Sequence, residues 1–296
     1  MTNNNQTNNE PTPDRQLGLA YWDSISRSDL TNNGVLGGYG DGSLPRIDSL
    51  SSRIFILTIM PHLSTIEPPI NLLAGRSTSG RNVVAADCCF RALDVGSGIG
   101  RVTNDVLIHL FHRVDLIEPI PRFIDRSRTL LSSTLRRLGS STTASRHTRA
   151  VRLWCRPLQE FDPKLFTSND LSLRRGDGTD RSHETLAYDL IWAQWTLGHL
   201  SDLELVEFFT KCKSCLRGAE DGRANGGYLV VKENVYQDQS DPDGDLVEFD
   251  DQDSSLTRSN KRFCRLFEES GLKLIRDEIQ VGFNPELYQV KFYVLQ

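Results

Sequence analysis

The sequence predicts an α/β protein. Its core should be one mostly parallel, doubly wound, Rossmann-like sheet of seven strands, with helices on both faces and an antiparallel hairpin at the C-terminus. Three observations carry this prediction. From about residue 91 onward, short apolar runs alternate with amphipathic helical patterns, which implies parallel strands covered by helices. The last two apolar runs are joined only by VGFNPEL, which makes a hairpin and not a crossover. In the first strand–helix junction lies the glycine-rich stretch LDVGSGIGR (93–101).

The elements follow in chain order. Residues 1–18, MTNNNQTNNEPTPDRQLG, are polar and Asn-rich and read as a disordered tail. Residues 19–296 read as a single domain. Within it, 19–60 form an N-terminal cap containing YWDSI, the glycine-rich NNGVLGGYGDG and a helical segment, and 91–296 form the main sheet. Strands are expected at 91–95, 114–118, 151–155, 188–193, 227–233, 272–279 and 288–295. Helices are expected near 101–112, 121–137, 201–217 and 255–270. Ser201 and Glu204 fit a capping box and Gly218 fits the stop of the third of these. Polar stretches at 74–82, 138–149, 167–186, 218–226 and 237–246 read as surface loops.

Composition narrows the function. With 296 residues and 38% hydrophobic content the chain can bury a large core. A formal net charge of -5 disfavours nucleic acid as a partner, since phosphate binding rests on clustered Lys and Arg. It suits a basic partner better. The apolar-rich run IFILTIM (54–60) is far too short to span a bilayer, so no membrane association is expected. Six cysteines without an apolar leader suggest free thiols in a reducing compartment. Cys212 and Cys215 form a CxxC pair, but they share a helical stripe with Leu205, Phe208 and Phe209, which points to core packing.

The glycine loop indicates the ligand. A dinucleotide fingerprint reads G-x-G-x-x-G, whereas here glycines stand at 96, 98 and 100, with Asp94 two residues before the first. This spacing resembles the E/D-x-G-x-G-x-G loop for S-adenosylmethionine (SAM), and the sheet with its terminal hairpin is the usual form for SAM methyltransferases. Glu118 ends the second strand, where a carboxylate can accept both ribose hydroxyls. Arg101 can pair with a cofactor carboxylate.

The acceptor should lie at the carboxyl ends of the strands, where WCRPLQEF (154–161), WAQWTLGHL (192–200) and KENV (232–235) emerge. The N/D-P-P-Y/F box of amino-adenine and glutamine methyltransferases is replaced by QWTLGHL, which disfavours nucleobase amines. The acid-rich FDDQDSS (249–255) is not a calcium loop. Counting from Asp241, Leu246 falls where an EF-hand needs glycine and Gln252 where it needs glutamate, so no metal is expected.

Seven motifs taken together, YWDSI (21–25), NGVLGGYG (33–40), LDVGSGIGR (93–101), IWAQWTLGHL (191–200), VVKENV (230–235), DDQDSS (250–255) and ELYQV (286–290), resemble the eukaryotic protein α-N-terminal methyltransferases. The resemblance runs from about Tyr21 to Gln296. It implies methyl transfer from SAM to the free α-amine of proteins beginning X-Pro-Lys/Arg, after removal of the initiator Met. It places Gly96, Gly98, Arg101, Glu118, Pro119, Ile120, Leu158, Gln159 and Gln194 around the cofactor. Trp22, Trp195, Asn234, Asp250 and Tyr288 would bind the substrate, with Asp250 facing its third-position cation. Asp253 and His199 would flank the amine as catalytic residues. A monomer is expected, acting on protein N-terminal tails, in the cytoplasm with the nucleus also open to it. The sequence departs from the pattern in the longer stretch between Asn234 and Asp250. A SAM enzyme for a small molecule, a silent SAM-fold interaction protein and an NAD oxidoreductase are the competing readings.

Overall fold

A computed structural model describes residues 11–64, 89–139, 149–162, 171–174, 187–218 and 226–296. Among the described residues ten strands form one sheet: β1 (Arg91–Val95), β2 (Arg113–Glu118), β3 (Ala150–Cys155), β4 (Leu171–Arg174), β5 (Leu190–Gln194), β6 (Tyr228–Tyr236), β7 (Val247–Asp250), β8 (Ser255–Ser259), β9 (Leu274–Ile279) and β10 (Gln289–Leu295). Their order is β4-β3-β2-β1-β5-β6-β10-β9, with β8 pairing with the end of β6 and with β7. β1, β2, β3, β5 and β6 are parallel neighbours, and β10 inserts antiparallel between β6 and β9. The doubly wound sheet and its C-terminal hairpin are as expected.

Period-2 alternation divides the core between the two faces. Leu93, Ile191, Ala193, Leu229 and Val231 join one apolar cluster with α6 (Asp202–Ser214) and α7 (Asn260–Glu269). Ala92, Leu190, Trp192 and Val230 join the other, with α5 (Pro121–Gly139), α3 (Leu44–Ile59) and α4, a π segment at Thr103–Leu107 continued by Ile108–Leu110. The capping box at Ser201 and Glu204 forms as the sequence suggests. Cys212 and Cys215 are buried in the first cluster, and burial pushes the Cys215 thiol up to about 12.

Four expectations change. The tail ends sooner than residue 18: α1 (Arg15–Ser28) starts at Arg15 because the Asp14 carboxylate caps the N–H groups of Gln16 and Leu17, and residues 1–10 lie outside the described ones. Helix α3 is not an appended cap, since Phe55 and Ile56 are part of the sheet's core. Within the stretch expected as the 167–186 loop, Leu171–Arg174 pairs antiparallel with β3. The helix expected at 255–270 begins only at Asn260, where Ser259 caps the Arg262 N–H. Residues 255–259 are strand instead, with Leu256 and Arg258 pointing inward on alternate positions. FDDQDSS is therefore the turn of a β7–β8 hairpin and not a loop entering a helix. The loop expectations for 74–82, most of 138–149 and 218–226, and the rest of 167–186 lie outside the described residues.

Candidate active site

Two cavities open at the carboxyl ends of β1, β2, β5 and β6, and they share Trp22, Val35, Leu36, Trp195, Thr196 and His199. The inner cavity is lined by the glycine loop, Glu118, Pro119, Ile120, Phe123, Arg101 and Gln194. The outer one is lined by Asn234, Asp253, Phe283, Tyr288 and Val290 among others.

The inner cavity begins at β1. Gly96, Gly98 and Gly100 all have positive φ, which lets the backbone bend where side chains would block it. A Cβ on Gly96 would fall inside the Thr196 side chain, so Gly96 is required by the packing of β5's exit against β1's exit. A Cβ on Gly98 would meet nothing closer than Val35 at 3.9 Å, so this glycine leaves a space on the cavity wall. Glu118 is buried, and its two oxygens accept from Gly98 N–H at 2.8 Å and Ile120 N–H at 2.9 Å. Burial pushes it up to about 7, against the pull of those two donors. Its unused lone pairs suit a vicinal diol. Asp94 accepts from the Thr103 hydroxyl at 2.6 Å and is raised by burial to about 6.

Arg101 sits at the other end, held at 2.5 Å by Asp48 of α3 and 5.8 Å over the Trp195 ring. Asp48 is fully buried and also accepts from Lys232 and, at 2.9 Å, from Gln194. Burial alone would raise Asp48, but Arg101 and Lys232 hold it below the usual carboxylate range. Burial in turn pulls Lys232 down to about 8, with Asp48 opposing. A cationic corner and two buried carboxylates fit the two ends of a nucleoside-linked amino acid. Arg101 would take its carboxylate, Glu118 its ribose, and Pro119, Ile120 and Phe123 its base.

Not every residue expected at the cofactor lines the inner cavity. Leu158 is buried in the core cluster with Trp154, Phe161 and Phe208. Gln159 reaches the His199 carbonyl at 3.4 Å. Neither lines the inner cavity, because the β3 exit turns into a short 3-10 turn that packs on α6's side of the sheet. Gln194 does line it, but as part of the Asp48 network beside Arg101 and not at the base.

The outer cavity is assembled from distant segments. Trp195 leaves β5 with φ 52, a left-handed conformation uncommon for a bulky residue, and its buried indole N–H has no partner among the described residues. His199 Nε2 accepts from the Trp22 indole N–H at 2.9 Å and lies 3.9 Å from Asp253 Oδ2. Burial pushes His199 below the usual imidazole value, against the Asp253 charge and the Ser254 backbone, so the ring is neutral at pH 7. The other Asp253 oxygen, Oδ1, is buried and has no partner among the described residues. Ser254, also at positive φ (54), turns the hairpin and accepts from the Asp14 N–H at 2.8 Å, which docks α1 on it. Gly18 makes that docking possible, since a Cβ there would lie 3.1 Å from the Asp253 carbonyl and 3.3 Å from the His199 ring.

Asp250 ends β7 at the exposed rim and accepts from the Gln252 N–H at 2.8 Å; it does not line the cavity. Its charge still reaches the phenol of Tyr288, which burial and then the bonded Glu248 carboxylate push up to about 12. The residues that sequence reasoning missed are Asp48, Thr196, Glu233 and Gly18. Only the glycine conflict in a helix (Gly18) and the buried charge in an apolar strand (Glu233) left any trace in the sequence.

A doubly wound sheet, a D-x-G-x-G-x-G loop and a buried ribose-type carboxylate in register define a SAM-dependent methyltransferase. Its cofactor is S-adenosylmethionine, and the cavity's charge pattern fits it. Residues 12–296 match the family described as AdoMet dependent proline di-methyltransferase, and the chain belongs to that family. The chain is 34% identical to alpha N-terminal protein methyltransferase 1 of Arabidopsis thaliana, over 94% of this chain and 78% of that one. It is 31% identical to N-terminal Xaa-Pro-Lys N-methyltransferase 1 of Danio rerio, over 93% and 92% of the two. A SAM-dependent methyltransferase structure from Leishmania major superposes with TM-score 0.62 at 26% identity, covering 95% of this chain and 82% of that one. SAM-bound magnesium protoporphyrin IX methyltransferase from Synechocystis, at TM-score 0.52 and 10% identity, shares the fold alone.

Proposed function

We propose that this enzyme methylates the free α-amine of protein N-termini that begin X-Pro-Lys or X-Pro-Arg. The observation that carries the reading is Asp253. Its Oδ1 is a buried carboxylate oxygen on the acceptor cavity with no partner among the described residues, beside His199 and next to the residues shared with the cofactor cavity. Such an oxygen accepts an amine N–H.

Bound SAM supplies an electrophilic methyl group on a sulfonium. The protein must present a neutral amine to it in line. An α-amine has a reference pKa of about 7.8 and a lysine ε-amine about 10.4, so at pH 7.4 roughly a quarter of the former and only about a thousandth of the latter are neutral. Asp253 orients the amine by accepting one N–H. Asp253 takes the proton the amine sheds, and the neutral His199 ring, fixed by the Trp22 indole N–H that donates to its Nε2, holds its place beside that carboxylate. Orientation can then provide most of the acceleration. Trp22, Trp195 and Phe283 give the cavity apolar walls suited to a proline ring, and Asn234 offers an amide to the peptide backbone. The exposed carboxylates of Asp250 and Glu248 at the rim suit the cation at position three.

Purified protein with labelled SAM and an X-Pro-Lys peptide tests this. The free peptide is expected to be labelled and its Nα-acetylated form not; equal labelling of both would sink the α-amine assignment. Asp250→Asn should raise peptide KM by up to about fivefold with kcat kept, the effect of one exposed charge pair.

A further inference from the structure

We propose that Arg258 is a positioning residue for the acceptor side, clamping the 195–200 loop so that His199 stays in its buried place beside Asp253 and Trp22. The proposal rests on the reading that His199 and Asp253 handle the substrate amine, but it concerns a residue that lines neither cavity.

The loop WTLGHL leaves β5 with Trp195 in the left-handed region and has only one 3-10 turn, Leu197–His199, of its own. Backbone held in such a conformation persists only when its surroundings over-determine it. Here both polar edges of the loop are held from outside. Glu233 Oε1 accepts the N–H groups of Thr196 at 2.8 Å and Leu197 at 2.9 Å. On the carbonyl side, Arg258 Nη1 donates to Leu197 O at 3.0 Å and Nη2 to Leu200 O at 2.5 Å. These two carbonyls bracket His199. The remaining Arg258 edge is aimed by Asp202, whose Oδ1 accepts from Nε at 2.8 Å.

Arg258 is fully buried in β8. A strand that needed only anchoring would be served as well by an apolar side chain of similar volume, because burying a guanidinium is costly and its pairing rarely more than repays it. The donors of Arg258 are instead used on the loop that carries His199. The loop also lies flush on β8, since a Cβ at Gly198 would come within 2.9 Å of the Leu256 carbonyl. The same β7–β8 hairpin carries Asp253, so the clamp fixes the distance between the two residues proposed to face the amine.

The test uses full-length Arg258→Lys and Arg258→Met, with three measurements: peptide kinetics, SAM affinity by calorimetry, and the His199 ring titration by proton NMR, assigned through His199→Gln. The charged group facing the ring is Asp253; Trp22 and the Ser254 backbone are its other neighbours. In Arg258→Met, kcat should fall by about tenfold or more with SAM affinity held within about twofold, and the His199 midpoint should rise toward the free-imidazole value near 6.5 as water reaches the ring. Arg258→Lys should recover part of both, because an ammonium can still reach one carbonyl. An unchanged His199 midpoint in a folded variant overturns the proposal. So does a loss of SAM affinity in proportion to kcat, which would make Arg258 a structural anchor. If Arg258→Met does not fold, Asp202→Asn loosens the same guanidinium in place, and an unmoved midpoint there overturns it equally. A shifted midpoint in a protein that never labels the peptide would support the clamp and remove the proposed substrate.

Discussion

At the cofactor cavity, the Gly98 N–H reaches Glu118 across 20 residues of chain; at the acceptor cavity, Trp22 reaches His199 across 177 and Asp14 reaches Ser254 across 240. The heart of the first site is a local strand–loop–helix–strand unit set by β1 and β2, to which Asp48, Gln194 and Lys232 are joined from elsewhere. The second exists only when α1, the β5 exit and the β7–β8 hairpin have converged. A cavity of the first kind is altered most by striking its backbone. One of the second kind can lose its chemistry while its scaffold and cofactor site survive.

The largest effect should therefore come from the cofactor side. Gly96→Ala puts a side chain at φ 61 and into Thr196. A left-handed alanine costs ~1–2 kcal/mol and overpacking ~1–3 kcal/mol. SAM affinity measured by calorimetry should fall by about 10²–10³-fold. Affinity within a few-fold of wild type would mean that the two exits are not locked together.

Next is Asp253→Asn, which keeps shape but removes the proton acceptor. Labelled-peptide kinetics should show kcat reduced by about 10²-fold, at the low end for a lost general base because an α-amine sheds its proton readily. SAM affinity should stay unchanged. If affinity fell with kcat, the two halves would not be separable as described.

The same contrast explains what could be read from the sequence. Gly96, Gly98, Arg101 and Glu118 stand in one fixed spacing, and the structure brings them to one cavity. Trp22, Trp195, His199, Asn234, Asp253 and Tyr288 also line one cavity, but spacing alone does not join them; only their resemblance to a family did. Leu158 and Gln159 are carried past the cavity by the turn after β3. Asp48 could not be found, because a single aspartate in an amphipathic helix looks like a solvated one until Arg101 and Lys232 close over it. The 255–270 stretch misleads because SLTRS carries no strong strand signal. Its extended form is fixed by pairing with β6 and β7, a tertiary effect that overrides local propensity.

A pH titration sharpens the comparison at moderate size. Burial raises Glu118 to about 7 in the unliganded protein. Ribose hydroxyls donate, so they favour the ionised form. SAM affinity should then be full above about pH 7 and weaken below it, by about tenfold at pH 6 if the ionised form alone binds. Asp94, raised to about 6, adds to the fall at lower pH. Glu118→Gln binds more weakly throughout but should lose the inflection near 7. A wild-type affinity flat from pH 6 to 8 would remove Glu118 from the ribose.

The smallest expected effect separates contact with the cofactor from contact with the loop that borders it. Among the described residues Gln159 reaches the His199 carbonyl alone, and at 3.4 Å that hydrogen bond is a weak one. Losing a weak, partly exposed bond should cost well under about 1 kcal/mol. Gln159→Ala should therefore leave SAM affinity within about twofold, while a modest change in kcat would report the slackened His199 loop. Calorimetry and peptide kinetics on one preparation decide it. A tenfold loss of SAM affinity would put Gln159 back at the adenine and would mean that the turn after β3 swings toward the cavity when the cofactor binds.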